Sequence, residues 1–289
     1  DKNAGRDKEV TFQNLALTGT GAGNYTITRA RGVGTITPKQ LTLDLVGSTR
    51  FDKTYDGNAN VTQSLTKGGN YTLAGFVGSE GTGITVTGTG TYTDKNAAAD
   101  KAVTFGGLTL TGAGAGNYTL DKTTLTGIGT IARRALTLGV VAAQSKTYDS
   151  TTAADASKFG AALNNTVAGD SVTATATGAA YNSKDVATAN AVSYTGVALA
   201  GADAANYSLA ATTAQGAGTI THRELTLTAA PHSIVQGEPL PSFTGRAEGF
   251  ADGEDASVLG AGGLTFESAV TNTETPGSYG VTGRIGSVT

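Results

Sequence analysis

Apolar and polar residues alternate over short segments along most of the chain, as at Val103 and Phe105 or at Leu41 and Leu43. A period of two places successive side chains on opposite faces of a β-strand. Glycine supplies 42 of the 289 residues, which favours many short strands joined by tight turns. Helical patterns are sparse, and the best are the short segments 96–101 and 153–163; each is either a single helix or an irregular crossing.

These patterns predict an all-β fold of tandem, elongated β-sandwich-like domains with immunoglobulin-like topology. A β-grasp-like sheet that carries one short helix is the alternative.

The alternation slips by one residue at three similar places. The apolar positions that show the slip are Val10, Phe12, Leu15 and Leu17, then Val103, Phe105, Leu108 and Leu110, then Val192, Tyr194, Val197 and Leu199. A one-residue slip turns the later side chains to the other face unless the strand bulges or bends. We therefore expect a bulge or a corner between two sheets at Gln13-Asn14, Gly106-Gly107 and Thr195-Gly196.

An internal repeat of roughly 90 residues organises the chain. Its marks are an Asn-Tyr pair, a Gly-Thr-Ile segment and a Leu-Thr-Leu segment, always in this order. The Asn-Tyr pairs are Asn24 and Tyr25, Asn117 and Tyr118, and Asn206 and Tyr207. Asp1-Lys2-Asn3 aligns with Asp94-Lys95-Asn96, so the first repeat holds only the C-terminal half of the unit.

The marks divide the chain into a partial first repeat at 1–38, a second repeat at 39–132, a third repeat at 133–221 and a C-terminal domain at 222–289. Only two or three polar residues separate the terminal strand of one repeat from the first strand of the next. Such short connections predict a monomeric, semi-rigid rod with the chain termini at opposite ends and no deep pocket at any domain centre.

Composition excludes several kinds of chemistry. Cysteine is absent, so no disulfide or thiolate site can form, which fits export through an oxidising compartment. The net charge of -3 is spread without a basic cluster, so we expect no nucleic-acid partner. No apolar run is long enough to cross a membrane, so we expect no membrane insertion. The two histidines, His222 and His232, have no neighbouring acid and nucleophile at a catalytic spacing, so we expect no enzyme and no cofactor.

Two segments resemble the YDG domain of bacterial filamentous-haemagglutinin-type adhesins. They are Lys53-Thr54-Tyr55-Asp56-Gly57 and Lys146-Thr147-Tyr148-Asp149-Ser150, each followed some 60 residues on by the Asn-Tyr and Gly-Thr-Ile marks. Ser150 replaces the glycine of the motif, which argues against an obligatory positive φ at that turn position.

The C-terminal domain resembles the MBG domain, which accompanies YDG domains in such adhesins. The residues that carry this resemblance are Gly237-Glu238-Pro239, Gly249-Phe250-Ala251-Asp252-Gly253, Ala256-Ser257-Val258-Leu259 and Pro276-Gly277-Ser278-Tyr279, with Gln236 where the family usually has tyrosine. The two resemblances imply a large exported adhesin at the bacterial cell surface, secreted through an outer-membrane partner by two-partner secretion.

The Tyr-Asp-Gly segment is interpreted as a folding signal: a buried aromatic residue, then a turn whose carboxylate binds nearby backbone amides. A tyrosine and aspartate that face a carbohydrate ligand are the alternative. Lys53 and Lys146 are expected to cover a sheet edge with their heads in solvent, and an intramolecular isopeptide bond is the alternative. Acidic loop residues could bind Ca²⁺, as an alternative to solvated turns; they are Asp149, Asp155, Asp252, Glu254 and Asp255.

Six asparagines stand in Asn-x-Ser/Thr sequons: Asn24, Asn60, Asn70, Asn117, Asn164 and Asn206. The three in Asn-Tyr pairs are interpreted as structural, so Asn60, Asn70 and Asn164 are the better candidates for glycosylation.

Two functions remain open. In the first, the repeats are a structural stalk that presents a distal adhesive region in attachment or biofilm formation, and neighbouring repeats are their partners. Alternatively, the repeats themselves bind host glycan, matrix protein or biofilm polysaccharide. Loop sequences that diverge between repeats, such as Leu65-Thr66-Lys67-Gly68-Gly69, favour the stalk.

Overall fold

A computed structural model describes residues 1–260, 262–271 and 273–286 of the chain. The described residues form an all-β structure whose helical segments are single 3-10 turns of three or four residues. The strands of the first 132 residues are β1 (Gly5–Thr11), β2 (Arg31–Ile36), β3 (Lys39–Leu45), β4 (Lys53–Thr54), β5 (Tyr71–Ala74), β6 (Thr85–Tyr92), β7 (Ala98–Thr111), β8 (Tyr118–Leu120) and β9 (Leu125–Ala132).

The strands from Arg134 onward are shorter on average. They are β10 (Arg134–Val141), β11 (Gln144–Thr147), β12 (Ala161–Asn164), β13 (Thr173–Thr175), β14 (Gly178–Tyr181), β15 (Ala191–Thr195), β16 (Ala198–Ala200), β17 (Tyr207–Leu209), β18 (Thr213–Thr221), β19 (Thr226–Ala229), β20 (Gly245–Glu248), β21 (Leu264–Ser268) and β22 (Val281–Ile285). The expected all-β class is confirmed.

The chain divides into two compact units. The first unit contains Asp1–Ala135, Thr166–Asp170 and Ala202–Ser208, and the second contains Leu136–Asn165, Ser171–Gly201 and Leu209–Thr289. Residues 133–135, 166–170 and 202–208 of the third repeat therefore belong to the first unit.

In the first unit, the second repeat is built from two sheets. One has the strand order β5-β3-β8, and the other has the order β4-β9-β7-β6. β3 runs parallel to β8, and β4 runs parallel to β9, whereas β3-β5, β6-β7 and β7-β9 are antiparallel pairs. The buried Tyr71 hydroxyl of β5 accepts a hydrogen bond from the Val86 amide of β6 at 2.7 Å, which ties one sheet to the other.

The period-two pattern explains this core. Leu41 and Leu43 of β3 are fully buried between charged or polar neighbours, and Val103 and Phe105 of β7 are buried in the same way. The Phe105 ring lies 4.7 Å from the ring of Phe51. Burial of aromatic side chains contributes strongly to such a core.

The predicted slip in β7 is confirmed as a bulge. Thr87 pairs with Thr109, but Thr89 pairs with Gly106, and Gly107 has a φ of +60°. After the bulge, Leu110 packs against the buried cluster of Leu41, Ile84 and Tyr118. β7 thereby packs against Phe51 before the bulge, through Phe105, and against the Leu41 cluster after it, through Leu110.

In the third repeat, which lies mostly in the second unit, the same slip occurs at a corner where the chain passes from one sheet to another. β15 belongs to a sheet with the order β11-β18-β15-β14, whereas β16 pairs with β13 in another sheet. Gly196, between them, has a φ of +62°. In the first repeat, β1 ends at Thr11, and Asn14 at the equivalent position has a φ of +57°.

The core of the third repeat contains Phe159, Tyr181, Val192, Tyr194 and Ile220. It differs from the second repeat at one central pair. Gln144 and Tyr194 take the places of Phe51 and Phe105, and the Gln144 side-chain amide donates to the Tyr194 hydroxyl at 3.0 Å. A hydrogen-bonded pair thus replaces an apolar one, which keeps the buried amide satisfied.

The C-terminal domain contains two antiparallel strand pairs in its described residues, β19 with β20 and β21 with β22. Ala251 and Gly263 are buried in this domain, and β19 also contacts β22. No helix among the described residues is both long and apolar enough to cross a membrane.

The helical alternative is wrong for both segments that could have held a helix. Residues 96–101 are not helical, because Ala98 begins β7, whose pairing with β6 and β9 outweighs local preference. Residues 153–163 contain only one 3-10 turn, Ala156–Lys158, before β12 begins at Ala161. The alternative fold with one short helix is therefore not the observed one.

The expectation about the turn at Ser150 is also wrong. Ser150 adopts a φ of +62°, close to the +83° of Gly57 at the equivalent position. The turn requires this conformation in both repeats, even where a residue with a side chain must adopt it.

Candidate functional site

The Tyr-Asp-Gly turn of the second repeat follows β4 directly. The Tyr55 amide donates to the Ala132 carbonyl at 2.9 Å, which extends the parallel pairing of β4 with β9. The Asp56 carboxylate accepts from the Asn58 amide at 3.2 Å and from Lys53 Nζ at 2.7 Å. Burial opposes ionisation of Asp56, but the bonds from Lys53 and Asn58 lower its pKa below the usual range.

The third repeat builds the same turn. The Tyr148 amide donates to the Thr221 carbonyl at 2.9 Å, and Asp149 accepts from Lys146 at 2.6 Å and from the Thr151 amide at 3.0 Å.

The two lysine heads do not lie in solvent, contrary to expectation. The side chain of Lys53 is only 4% exposed, and its ammonium group donates to Asp56 and to the Asn58 carbonyl. Lys146 donates in the same way to Asp149 and to the Thr151 carbonyl. Each lysine closes the turn, because the ammonium group supplies several donors at once.

The tyrosine hydroxyl of the turn reaches an acid from a later part of the sequence. Within the first compact unit, the Tyr55 hydroxyl donates to Asp170 Oδ2 at 2.8 Å. The Tyr207 hydroxyl donates to the same oxygen at 2.6 Å, and the two rings meet edge to face at 5.4 Å. Lys95 Nζ lies 3.4 Å from the other oxygen, Asp170 Oδ1. We call this arrangement the tyrosine–acid joint, because it links the second repeat to segments of the third.

The joint keeps Asp170 ionised although its side chain is only 5% exposed. Burial opposes ionisation, but hydrogen bonds from Tyr207 and Tyr55 and the charge of Lys95 lower the pKa of Asp170 below its ordinary value of 3.8. Burial and the bond to Asp170 raise the pKa of both tyrosines. The stabilisation by Asp170 is therefore complete above its ordinary pKa and is lost as the pH falls through the lowered value.

Two further contacts surround the joint. The Ala97 amide donates to Asn206 Oδ1 at 2.8 Å, and Asn206 is buried. A Cβ atom added at Gly57 would lie 2.8 Å from Val167 Cγ1, so the turn approaches Val167 more closely than a side chain permits. The buried Asn206 thus has a structural partner, as expected for the Asn-Tyr mark.

Part of this arrangement recurs between the first and second repeats, where Lys2 and Ala4 of the first repeat contact Glu80 and Asn117 of the second. The Tyr118 hydroxyl donates to Glu80 Oε2 at 2.7 Å, and Lys2 Nζ lies 2.6 Å from Glu80 Oε1. The Ala4 amide donates to Asn117 Oδ1 at 2.8 Å, as Ala97 does to Asn206. The bonds from Lys2 and Tyr118 lower the pKa of Glu80.

A third example lies within the second compact unit. The Tyr148 hydroxyl donates to Glu254 Oε1 at 2.7 Å, and the bond raises the pKa of Tyr148. Lys184, at the position equivalent to Lys95, lowers the pKa of the Tyr148 hydroxyl and so partly offsets this effect. Ser150 Oγ donates to the Asp252 carbonyl at 3.4 Å.

Sequence reasoning missed Glu80 and Asp170, and it considered Glu254 only as a possible Ca²⁺ ligand. A signal was present: Glu80, Asp170 and Glu254 each stand one or two residues after a glycine in equivalent loops. The first Asn-Tyr pair differs from the others, because Asn24 and Tyr25 are both exposed, Tyr25 by 73%.

The sequon asparagines differ in availability. Asn60 and Asn164 are exposed. The Asn70 side chain is engaged on both sides, since it accepts from the Thr66 amide at 2.7 Å and donates to the Ser64 carbonyl at 2.9 Å. Glycosylation at any of them stays a prediction.

Four of the five acids considered for calcium, Asp149, Asp155, Glu254 and Asp255, accept hydrogen bonds from protein groups. Asp155 and Asp255 accept from the amides of Ser157 and Ser257 at the start of 3-10 turns, and Glu254 accepts from Tyr148. Within residues 1–260, 262–271 and 273–286, no group of three or more metal-ligating side chains is placed to hold an ion.

An open groove of about 680 Å³ lies in the C-terminal domain. Its lining includes His232, Phe243 and Tyr279, and the rings of His232 and Phe243 meet edge to face at 5.7 Å. The groove is open to solvent, and the absence of a deep pocket at a domain centre stays a prediction.

The fold and the recurring joint define a tandem array of small all-β domains. The family model of the YDG domain matches residues 37–125 and 132–214, and the chain belongs to this family. The model of the MBG domain (YGX type) matches residues 225–289. Both resemblances seen in the sequence are thereby confirmed, and the chain is one of adhesin-like repeats. No curated protein matches the chain. No solved structure matches it either.

Proposed function

We propose that this chain is a stalk segment of a large, secreted bacterial surface adhesin, exported with the help of an outer-membrane partner and presenting a distal adhesive region in attachment or biofilm formation. The observation that supports it is the tyrosine–acid joint: a tyrosine hydroxyl donates to a loop carboxylate at Glu80, Asp170 and Glu254, and at Asp170 and Glu254 the donor is the Tyr-Asp-Gly tyrosine of the preceding repeat. We propose no catalytic role and no bound cofactor.

The joint suits a load-bearing stalk. At Asp170, two tyrosine hydroxyls share one buried carboxylate with a lysine. Hydrogen bonds to a charged, buried group are stronger than neutral ones, and leaving such a group without its partners is costly. Bending at this point therefore has to break several contacts together. A stalk requires this resistance, whereas a flexible tether does not.

Small-angle X-ray scattering of the whole chain tests the stalk. A compact globule of 289 residues has a radius of gyration of about 19 Å. We expect a clearly larger value and a distance distribution with a long tail, as for a rod. A value near that of the globule would overturn the stalk.

The groove of the C-terminal domain favours a second candidate, the binding of carbohydrate. Aromatic rings beside polar groups, here Phe243 and Tyr279 beside His232 and Thr275, suit the apolar faces and hydroxyls of sugars. A glycan array with the whole chain tests this function. Binding that both Phe243→Ala and Tyr279→Ala abolish would support it. The absence of binding, or binding that neither substitution changes, would refute it.

A further inference from the structure

The acids of the three joints each end a four-residue turn, although they belong to two kinds of domain. The backbone conformation is shared by the turns of Asp170 and Glu254; in the turn of Glu80 the positive φ lies at Gly78, at +53°, and Ser79 has a φ of -94°. The amide of each acid donates to the carbonyl three residues earlier: Glu80 to Val77 at 3.1 Å, Asp170 to Val167 at 3.2 Å and Glu254 to Ala251 at 3.0 Å. In two of them the residue before the acid is a glycine with positive φ, Gly169 at +90° and Gly253 at +82°. A positive φ at that position is the mark of a type II turn.

The groups that approach these acids also recur. The Tyr-Asp-Gly tyrosine donates to the acid at two joints, from Tyr55 to Asp170 and from Tyr148 to Glu254. A lysine of equivalent position approaches at two joints as an ion pair, Lys2 with Glu80 and Lys95 with Asp170. Lys184 holds the same position in the third repeat.

We infer that the joint is a docking code that determines which domain can follow a YDG domain. The donor half is the Tyr-Asp-Gly tyrosine with the lysine at the position of Lys95 or Lys184. The acceptor half is a four-residue turn that ends in a carboxylate, and the partner it defines is a β-domain that presents such a turn. The YDG and MBG domains both qualify because each supplies the turn, through Asp170 in one and Glu254 in the other. The inference does not depend on the role of the chain as a stalk.

The acid itself has some freedom in this code. Asp170 receives two tyrosine hydroxyls, whereas Glu80 and Glu254 each receive one. At Glu254 only the Tyr148 hydroxyl donates to the carboxylate, and the longer glutamate side chain reaches it. The tyrosine and lysine of the preceding domain therefore recognise a carboxylate, which either aspartate or glutamate can supply.

An exchange of turns in the whole chain tests the code. In one variant, the turn Val167–Asp170 takes the sequence of Ala251–Glu254; in a second, Asp170→Asn keeps the shape and removes the charge. The reporter is the amide of Ala97, which is bonded to Asn206 across the joint. Amides of β7 in the core of the second repeat report whether the domain is folded.

We expect the exchanged turn to keep the hydrogen-exchange protection of Ala97 within a few fold, and Asp170→Asn to lower it by about tenfold or more. The β7 amides stay protected in both. Full protection of Ala97 in Asp170→Asn, or its loss in the exchanged turn while β7 stays protected, would overturn the code. Scattering that contradicts the stalk would leave this result unaffected, so the two proposals can fail separately.

Discussion

The first repeat and the second repeat carry the same apolar pattern but bury it very differently. Phe12 is 52% exposed, whereas Phe105, at the equivalent position, is 1% exposed. Val10 is exposed and Val103 is fully buried. The alternation of apolar residues therefore specifies a strand, but it does not by itself provide the surface against which the strand packs.

The missing surface can be identified from the second repeat. There, β7 and β9 are joined by β4 and β6 in one sheet and are covered by residues such as Leu45 and Phe51. In the described structure, β1 and β2 form a sheet of only two strands. A two-stranded sheet is marginally stable in water, since it has no second layer against which to bury a face.

The sharpest test of this comparison is the pair of substitutions Phe105→Ala and Phe12→Ala. Phe105→Ala removes a buried ring that contacts Phe51, so we expect a loss of about 3–5 kcal/mol in the stability of the second repeat. Phe12→Ala should change stability by less than about 1 kcal/mol, because half of that ring already lies in water.

Native-state hydrogen exchange is the suitable measurement, because a chain of several domains does not unfold in two states. Amides of β7 and β9 report on Phe105→Ala, and amides of β1 and β2 report on Phe12→Ala. Similar losses for the two substitutions would show that the first repeat is packed as tightly as the second, and would refute the comparison.

The glycines of the Gly-Thr-Ile marks give the next largest contrast. A Cβ atom at Gly129 would lie 1.8 Å from the Phe51 carbonyl oxygen, a backbone atom that cannot turn away. At Gly34 it would meet only Val10 Cγ2, at 3.3 Å. We expect Gly129→Ala to cost about 1–3 kcal/mol through displaced strands.

Gly34→Ala serves as the control, and it should be neutral or slightly stabilising because alanine restricts the unfolded chain more than glycine does. Hydrogen exchange of the β9 and β2 amides compares the two. A neutral Gly129→Ala would mean that the approach of Phe51 to β9 is looser than the structure indicates.

Much of the fold could be predicted from sequence because it depends on local spacing. The slip after Phe105 required a bulge or a corner, and Gly107 and Gly196 provide the backbone conformation for each. The helical expectation for residues 96–101 failed because the pairing of β7 with two neighbours depends on residues far along the chain, such as Ile131.

The candidate site was only half predictable. The turn at Tyr55 and Asp56 follows from its own residue types. The acid Asp170 lies 115 positions from Tyr55, and no periodicity links the two. Only the alignment of the loops that hold Glu80, Asp170 and Glu254 could have shown that each repeat keeps one carboxylate there.

The smallest contrast concerns the tyrosines of the Asn-Tyr marks. The Tyr118 hydroxyl donates to Glu80 and accepts from the Val77 amide at 3.2 Å, so Tyr118→Phe leaves the Val77 amide without this acceptor and Glu80 with Lys2 alone, while the ring stays packed. We expect roughly fivefold lower hydrogen-exchange protection at the Val77 amide. Tyr25→Phe, at the exposed equivalent position, should leave the protection of β1 and β2 unchanged. An equal effect of the two substitutions would show that the Tyr25 hydroxyl also has a hydrogen-bond partner in solution. The first repeat would then pack against other residues, as the second repeat does.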